Sequence, residues 1–372
     1  MSKLLGSGGF ACVFYPGITC QGKVDENTNF VTKIQRDDKS SNSEREIEIG
    51  QDIMNIPNFS FYFAPVTNSC SINLNTINDN QESVLDQCKL IKSLDQNYIA
   101  LRIPYVDKDN FFTFLTNTDN AIFSFATMME TMKYLLSSIH KLIQARLVQF
   151  DLKGENIVFK KDLSIPIIID FGISIQIEEV TSENLSEYFY TYAPDYYIWP
   201  IDVHILCYLA SVKNNLQKED IKKICDECIT NNIIFQTFSE SFITDYKEKA
   251  YEYYLQYAGK SRSFTLKELL KGWNTWDLYS YGILGLRLAN YLFLKTIPNN
   301  PIMEKFIQIH LYNIHYNPSK RYSINENIKQ FNKLYYKEGN RHRLIELIKS
   351  INYSPTKLKQ TIQKDSLNYN PK

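Results

Sequence analysis

The feature that most restricts this chain is a pair of acidic motifs. Asp151-Leu152-Lys153-Gly154-Glu155-Asn156 is followed fourteen residues later by Asp170-Phe171-Gly172. Each motif comes after an apolar segment, Leu147–Val148 and Ile165–Ile169. An Asp or Asn at a strand end is commonly a turn former. Two Asp, a Lys and an Asn in this order have a second use. Carboxylate and amide oxygens are hard donors suited to Mg²⁺, and a free carboxylate can take the proton of an attacking hydroxyl.

Two upstream features fit that chemistry. Leu5-Gly6-Ser7-Gly8-Gly9-Phe10-Ala11-Cys12-Val13 places glycines between strand-like segments. Backbone N–H groups can approach phosphate oxygens closely there, although a plain β-turn accounts for the glycines as well. Lys33 stands inside the apolar segment Val31-Thr32-Lys33-Ile34. Burying it is costly unless it meets an anion; an edge-strand Lys can also snorkel to solvent.

Composition narrows the class. The 372 residues suggest two domains or one two-part unit. With 44% hydrophobic and 22% charged residues, the chain is globular and not disordered. Lys+Arg 41 balances Asp+Glu 41, so no global charge argues for nucleic acid. No apolar run reaches the ~18–20 residues of a membrane span, and the first ten residues lack the apolar stretch of a secretory signal. Seven scattered cysteines, an odd number, predict reduced cytosolic thiols rather than a disulfide framework. Cys225 and Cys228 form a lone CxxC; with only Cys207 besides, they read as ordinary thiols, not a zinc site.

The first third reads as strands with one helix. Lys3–Leu5, Ala11–Phe14, Phe30–Ile34, Ala64–Ile72 and Tyr98–Val106 have strand character. Residues 41–54 carry helical periodicity, with Ser43 as a cap and Glu46 as its capping-box partner. Residues 73–93 are polar and Asn-rich, an exposed insertion. Beyond Asn110 the pattern turns helical: Phe123–Leu147, a long segment over 204–271, and Trp276–Lys295. Short strands interrupt it at Ile157–Phe159 and Ile165–Ile169, and the end of the chain is basic.

In that order, the motifs resemble the eukaryotic-type protein kinase superfamily: G-x-G-x-x-A-x-V, a strand Lys, D-L-K-x-x-N and D-F-G. Asp277-Leu278-Tyr279-Ser280-Tyr281-Gly282 looks like D-x-W-S-x-G, and Asn317-Pro318-Ser319-Lys320-Arg321 like D-P-x-x-R. The resemblance implies an α+β, bilobal kinase-like fold: a small antiparallel β-sheet N-lobe with one helix and a larger, mainly α-helical C-lobe. The expected boundaries are 1–105 for the N-lobe, 106–335 for the C-lobe with an insertion over about 204–271, and 336–372 for a basic tail.

It also implies roles for single residues. Leu5, Gly6, Ser7, Gly8 and Gly9 belong to the loop over the ATP phosphates, and Val13 covers the adenine. Lys33 holds the α- and β-phosphates and pairs with Glu46; Glu44 and Glu48 face elsewhere on the helix. Ile103 becomes the gatekeeper, and Pro104 C=O and Val106 N–H serve the adenine edge. Asp151 is the catalytic base, Lys153 contacts the γ-phosphate, and Asn156 and Asp170 hold Mg²⁺. Arg321 pairs with the acid that ends the activation segment, either Asp195 or Asp202, with Asp202 slightly favoured.

Three departures stand out. Ala11 replaces the third loop glycine, Gln149-Phe150 replaces His-Arg before Asp151, and the 204–271 segment is long. Phe150 removes the Arg that receives a phosphorylated activation loop. The leading reading is an active Ser/Thr kinase acting on protein substrates with ATP and Mg²⁺, since Lys153 two residues after the base is the Ser/Thr form. A pseudokinase that binds nucleotide or scaffolds is the runner-up. A small-molecule phosphotransferase of the aminoglycoside-kinase type is the third. The Asn-, Ile- and Tyr-rich composition also looks like kinases of large DNA viruses, which would place the protein in the host cytoplasm or virion.

Overall fold

The computed structural model describes residues 2–8, 11–37, 43–76, 85–106, 108–111, 121–160, 165–293 and 301–336. Gly9, residues 77–84 of the polar insertion and residues 337–372 of the basic tail lie outside these. The chain forms two compact units, Met1–Asn110 with Glu155–Ser174, and Phe111–Gly154 with Ile175–Lys372. The first is mostly strands and the second mostly helices, an α+β chain with an antiparallel sheet first.

The strands in chain order are β1 (Lys3–Ser7), β2 (Ala11–Tyr15), β3 (Phe30–Arg36), β4 (Phe63–Ala64), β5 (Asn68–Asn73), β6 (Asn97–Pro104), β7 (Lys108–Asn110), β8 (Leu147–Val148), β9 (Ile157–Lys160), β10 (Ile165–Ile169) and β11 (Ile175–Gln176). Five of them make the main sheet of the first unit, in the order β1-β2-β3-β6-β5 and antiparallel throughout. A second sheet runs β4-β10-β9-β7.

The expected strand Ala64–Ile72 is thus two strands in two sheets. Pro65 stands at the break and has no N–H to donate to a ladder. The helix α1 (Ser43–Met54) accompanies the sheets. It buries Ile49 and Ile53, and a Cβ at Gly50 would sit 2.4 Å from the Val66 carbonyl oxygen, so only glycine allows this approach. The Glu46 carboxylate accepts from Lys33 and Gln35.

The cysteines of the first unit overturn the expectation of reduced thiols. Cys12 is bonded to Cys88, and Cys20 to Cys70. Cys12 and Cys88 lie in a core cluster with Phe14, Ile34, Leu74 and Tyr98. The partners are 76 and 50 positions apart, so no local spacing announces them. Cys207, Cys225 and Cys228 of the second unit are free and buried.

The helices of the second unit are α2 (Ala121–Gln144), α3 (Leu185–Tyr188), α4 (Ile201–Ser211), α5 (Lys218–Asn231), α6 (Glu240–Tyr254), α7 (Arg262–Leu270), α8 (Trp276–Phe293), α9 (Pro301–Asn313) and α10 (Ile324–Tyr336). The 204–271 segment is not an appended loop. It begins inside α4, runs through α7, and buries Ile221, Ile224, Phe242, Tyr246, Tyr254 and Leu269. Its turns are written locally. A capping box joins Gln217 and Asp220 at the start of α5, and Ser239 and Ser261 accept the first-turn N–H groups of Phe242 and Phe264. Among the described residues no helix is long and apolar enough to cross a membrane.

Candidate active site

Within the first unit three charged side chains meet. Lys33, in the middle of β3, is buried and donates to both Glu46 carboxylate oxygens at 2.8 and 2.9 Å and to Asp170 Oδ1 at 2.9 Å. Glu46 arrives from α1 and Asp170 from the residue after β10. Burial works to lower the Lys33 pKa, but the Glu46 and Asp170 charges outweigh it and hold the ammonium above its usual range. Burial pushes the Glu46 carboxyl up, with Lys33 and Gln35 working against it. Asp170 has a positive φ of 58° and a side chain 47% exposed. A Cβ at Gly172 would lie 3.3 Å from both Lys33 Nζ and Glu46 Oε2, so glycine leaves room for the cluster.

The rest of the expected nucleotide set is spread over the same unit. In the β1–β2 hairpin Gly6 pairs with Val13 and Ser7 with Cys12, and Gly8 N–H donates to Ala11 O at 2.9 Å. Leu5 is exposed. Val13 also pairs with Lys33 across β2 and β3. Pro104 ends β6 opposite Phe30, and Val106 packs with Ile103 on Ala64, Val158 and Ile167. A cleft of about 500 Å³ is lined in part by Tyr15, Asn29, Pro104, Tyr105 and Val106. It includes none of Lys33, Glu46 and Asp170, so cleft and charge cluster are separate features.

Asn156 closes the short turn Gly154–Asn156 and is buried. With the half-exposed Asp170 it offers one amide and one carboxylate oxygen. Among the described residues no group of three or more His, Cys, Asp or Glu could hold a metal. Two oxygen donors fit Mg²⁺, which usually takes one or two protein carboxylates and completes its shell with phosphate oxygens and water.

The second unit carries the other motif. Asp151 is buried and its backbone N–H donates to Gln149 Oε1 at 2.7 Å. The Gln149 and Phe150 N–H groups donate to the two oxygens of Asp277 at 2.8 and 3.0 Å. This fixes the sharp turn at Phe150, whose φ is 66°. Burial lifts the Asp277 pKa to about 6, against the pull of those two N–H bonds. Lys153 Nζ lies 2.8 Å from Asp151 Oδ1 and 3.0 Å from Oδ2. The Tyr196 hydroxyl donates to Asp151 Oδ1 and accepts from Lys153 Nζ at 3.0 Å.

Arg321 settles which acid it pairs with. Its guanidinium donates to Asp202 at 2.5 and 3.2 Å, to Thr275 Oγ1 at 3.1 Å and to the His315 carbonyl at 2.8 Å. Both partners of the ion pair have side chains 0% exposed. Asp202 also accepts from Trp276 Nε1 at 2.7 Å, whereas Asp195 is exposed.

The protein kinase domain family matches residues 1–198 of the chain. The chain belongs to that family. No curated protein matches it.

What distinguishes this kinase is the neighbourhood of Phe150. The side chain is buried, with its ring 4.7 Å from Trp199, 5.7 Å from Phe189 and 6.0 Å from Trp276. Trp199 Nε1–H donates to the Phe150 carbonyl at 2.7 Å. Phe189 and Trp199 lie between Gly172 and Asp202, in the activation segment. Aromatic packing therefore fastens that segment to the loop that carries Asp151. Two residues escaped the sequence reading. Gln35 stands two places along β3 from Lys33, and that spacing puts both on one face. Tyr196 is one of many hydroxyls in the segment, and only folding selects it.

Proposed function

We propose that the chain is an active protein kinase that transfers the γ-phosphoryl group of Mg-ATP to Ser or Thr hydroxyls of protein substrates. The observation that carries this is Lys33 held by Glu46 at 2.8 Å and by Asp170 at 2.9 Å. A buried, protonated Lys with an exposed-sided carboxylate beside it is suited to bind triphosphate and metal together. In this reading Lys33 takes the α- and β-phosphates, and Asn156 and Asp170 hold Mg²⁺, which would neutralise charge on the phosphates. Leu5, Gly6, Ser7, Gly8, Gly9 and Val13 belong to the nucleotide loop, and Pro104 and Val106 to the adenine edge. Asp151 accepts the proton of the attacking hydroxyl and Lys153 offsets its charge.

Lys153 two residues after the base supports Ser/Thr acceptors. The cytoplasmic placement expected from the sequence loses one support, because disulfides persist chiefly in oxidising compartments and four of the seven cysteines are paired.

A nucleotide-binding pseudokinase is the second reading. One observation favours it: the Tyr196 hydroxyl already occupies Asp151. Radiolabel transfer from ATP to a peptide array with Mg²⁺, run beside Asp151→Asn, separates the two. Label on Ser or Thr peptides that is absent with the variant supports the kinase. No transfer to any peptide, with ATP still bound, favours the pseudokinase.

A further inference from the structure

The long 204–271 segment takes hold of the activation segment on either side of the residue that reaches Asp151. The Tyr192 hydroxyl donates to Glu227 Oε2, on α5, at 2.8 Å. Its ring meets the Tyr208 ring of α4 edge-on at 5.1 Å, and the Tyr208 hydroxyl donates at 2.8 Å to Asp220 in the first turn of α5. Burial, then the nearby Cys228 and the Glu227 bond, raise the Tyr192 pKa, so the phenol keeps the proton it donates. Just beyond α5, Asn232 Nδ2 donates to the Tyr197 carbonyl at 3.0 Å. That amide is buried and its orientation is fixed, since its Oδ1 accepts the Ile234 N–H at 3.0 Å. Between these two holds, Tyr196 places its hydroxyl on Asp151.

A base must lie within hydrogen-bond reach of the proton it takes. An acceptor hydroxyl therefore has to arrive at the carboxylate that residue 196 borders, and where residues 192–197 lie decides how its peptide sits. Misplacing a positioning group by about 1 Å can cost ~10² in rate. These holds are made within the second unit, whereas Lys33 and Asp170 belong to the first. Phe150 offers no cation to a loop phosphate, and α5 supplies fixed polar contacts that need no modification.

We propose that Glu227 and Asn232 are positioning residues: through Tyr192 and Tyr197 they hold residues 192–197 against Asp151 in the unmodified chain, and so set the affinity for acceptor peptide but not for nucleotide. The proposal rests on the kinase reading above. The Glu227 bond is charge-assisted and so roughly twice as strong as a neutral one. Losing the Asn232 donor would leave the Tyr197 carbonyl without that partner.

The test is steady-state kinetics of the full chain with Mg²⁺, ATP and an acceptor peptide chosen from the array above. Tyr192→Phe and Glu227→Ala are each expected to raise KM for peptide roughly tenfold, the scale of a hydrogen bond to a charged group, with KM for ATP within about twofold of the parent. Asn232→Ala is expected to raise KM for peptide as well. Glu227→Gln keeps an oxygen for the phenol and should bring KM for peptide back to within about threefold of the parent. An unchanged KM for peptide in these variants overturns the proposal. So does an equal rise in both KM values, which marks a merely structural role, or a Glu227→Gln as impaired as Glu227→Ala. Hydrogen exchange of the parent chain decides the matter even if the variants fold poorly. Residues 190–199 should be protected to the same degree as α5; fast exchange there beside a protected α5 overturns the proposal. Absence of peptide transfer by the parent chain, with that protection intact, overturns the kinase reading and with it the role in peptide affinity.

Discussion

Each of the two units of this kinase is stabilised internally by different chemistry. The first is a β-rich unit whose core contains a disulfide, with a second disulfide joining Cys20 to Cys70. Its buried Lys33 and Glu46 are joined to Asp170, whose side chain is half-exposed. The second unit has no disulfide among the described residues and keeps Cys207, Cys225 and Cys228 as buried thiols. It relies on packed helices, the sealed Arg321–Asp202 pair and the Phe150 aromatic cluster. The contrast follows from size. A small unit buries a smaller share of its surface and gains most from cross-links that restrict the unfolded chain. A larger helical unit can seal polar groups inside. Under the proposed function the same contrast divides the labour: charge left accessible serves chemistry, and charge sealed away serves architecture.

Acid is expected to separate the units most. His204, His310 and His315 are buried in the second unit, and burial lowers their pKa values to about 4, 3 and 4. Neither ring nitrogen of His310 has a hydrogen-bond partner. Folded values below the usual ~6.5 mean that the stabilisation is present above pH ~6.5. It is lost as pH falls toward 4 and 3. Asp277, raised to about 6, runs the opposite way between pH ~6 and ~4 and only softens the loss. Urea melts at pH 7.5 and 5 should show the second unit losing several kcal/mol; equal midpoints would contradict the buried neutral histidines.

Next comes the sealed pair. Arg321→Ala leaves Asp202 buried without its cation and should cost about 3–5 kcal/mol, read as a lower melting temperature. Replacing both partners with apolar residues should recover part of that. Full recovery is not expected, because Trp276 Nε1 would lose its acceptor.

The open cluster should behave otherwise. Lys33→Met is expected to cut peptide phosphorylation by at least ~10²–10³ with a smaller change in melting. Glu46, already pushed up by burial, can take a proton once Lys33 is gone. An unfolded Lys33→Met, or an active one, would erase the division of labour.

Reductant should act on the first unit alone, removing about 2–4 kcal/mol per disulfide. Thiol counting under native and reducing conditions checks this. Finding all seven cysteines free without reductant would break the contrast at its root.

The smallest expected effect is of phosphatase treatment on the fastening of the activation segment. Phe150 contributes aromatic packing where an Arg would await a phosphate. Dephosphorylating Ser174, Thr181, Ser182, Ser186, Tyr188, Tyr190 or Thr191 should leave steady-state activity within about twofold, since no charged receptor at residue 150 loses its partner. A large loss that returns on rephosphorylation would show that another cation receives the phosphate.

Local chemistry was legible in the sequence. Ile165–Ile169 and the helix from Trp276 emerge close to their observed limits because apolar runs and periodicity are local signals. Glu46 could be chosen over Glu44 and Glu48 because a helix turns by fixed steps. Pro65 carried a usable warning that Ala64–Ile72 is not one strand. The disulfides were not legible, because Cys12 meets Cys88 only once the sheet has brought distant segments together. Nor was Tyr196, whose choice among neighbouring hydroxyls depends on how the activation segment folds back on Asp151.

The aromatic fastening at Phe150 has a thermal consequence. A segment held by a phosphate and an Arg is loosened by salt, because ions screen the pair. Rings packed in a dry interior feel little of that. Their association instead weakens on cooling. The packing that holds the activation segment of this kinase therefore weakens in the cold and is little changed by salt, and activity is expected to fall more steeply toward 4 °C than the slowing of the chemical step alone would require.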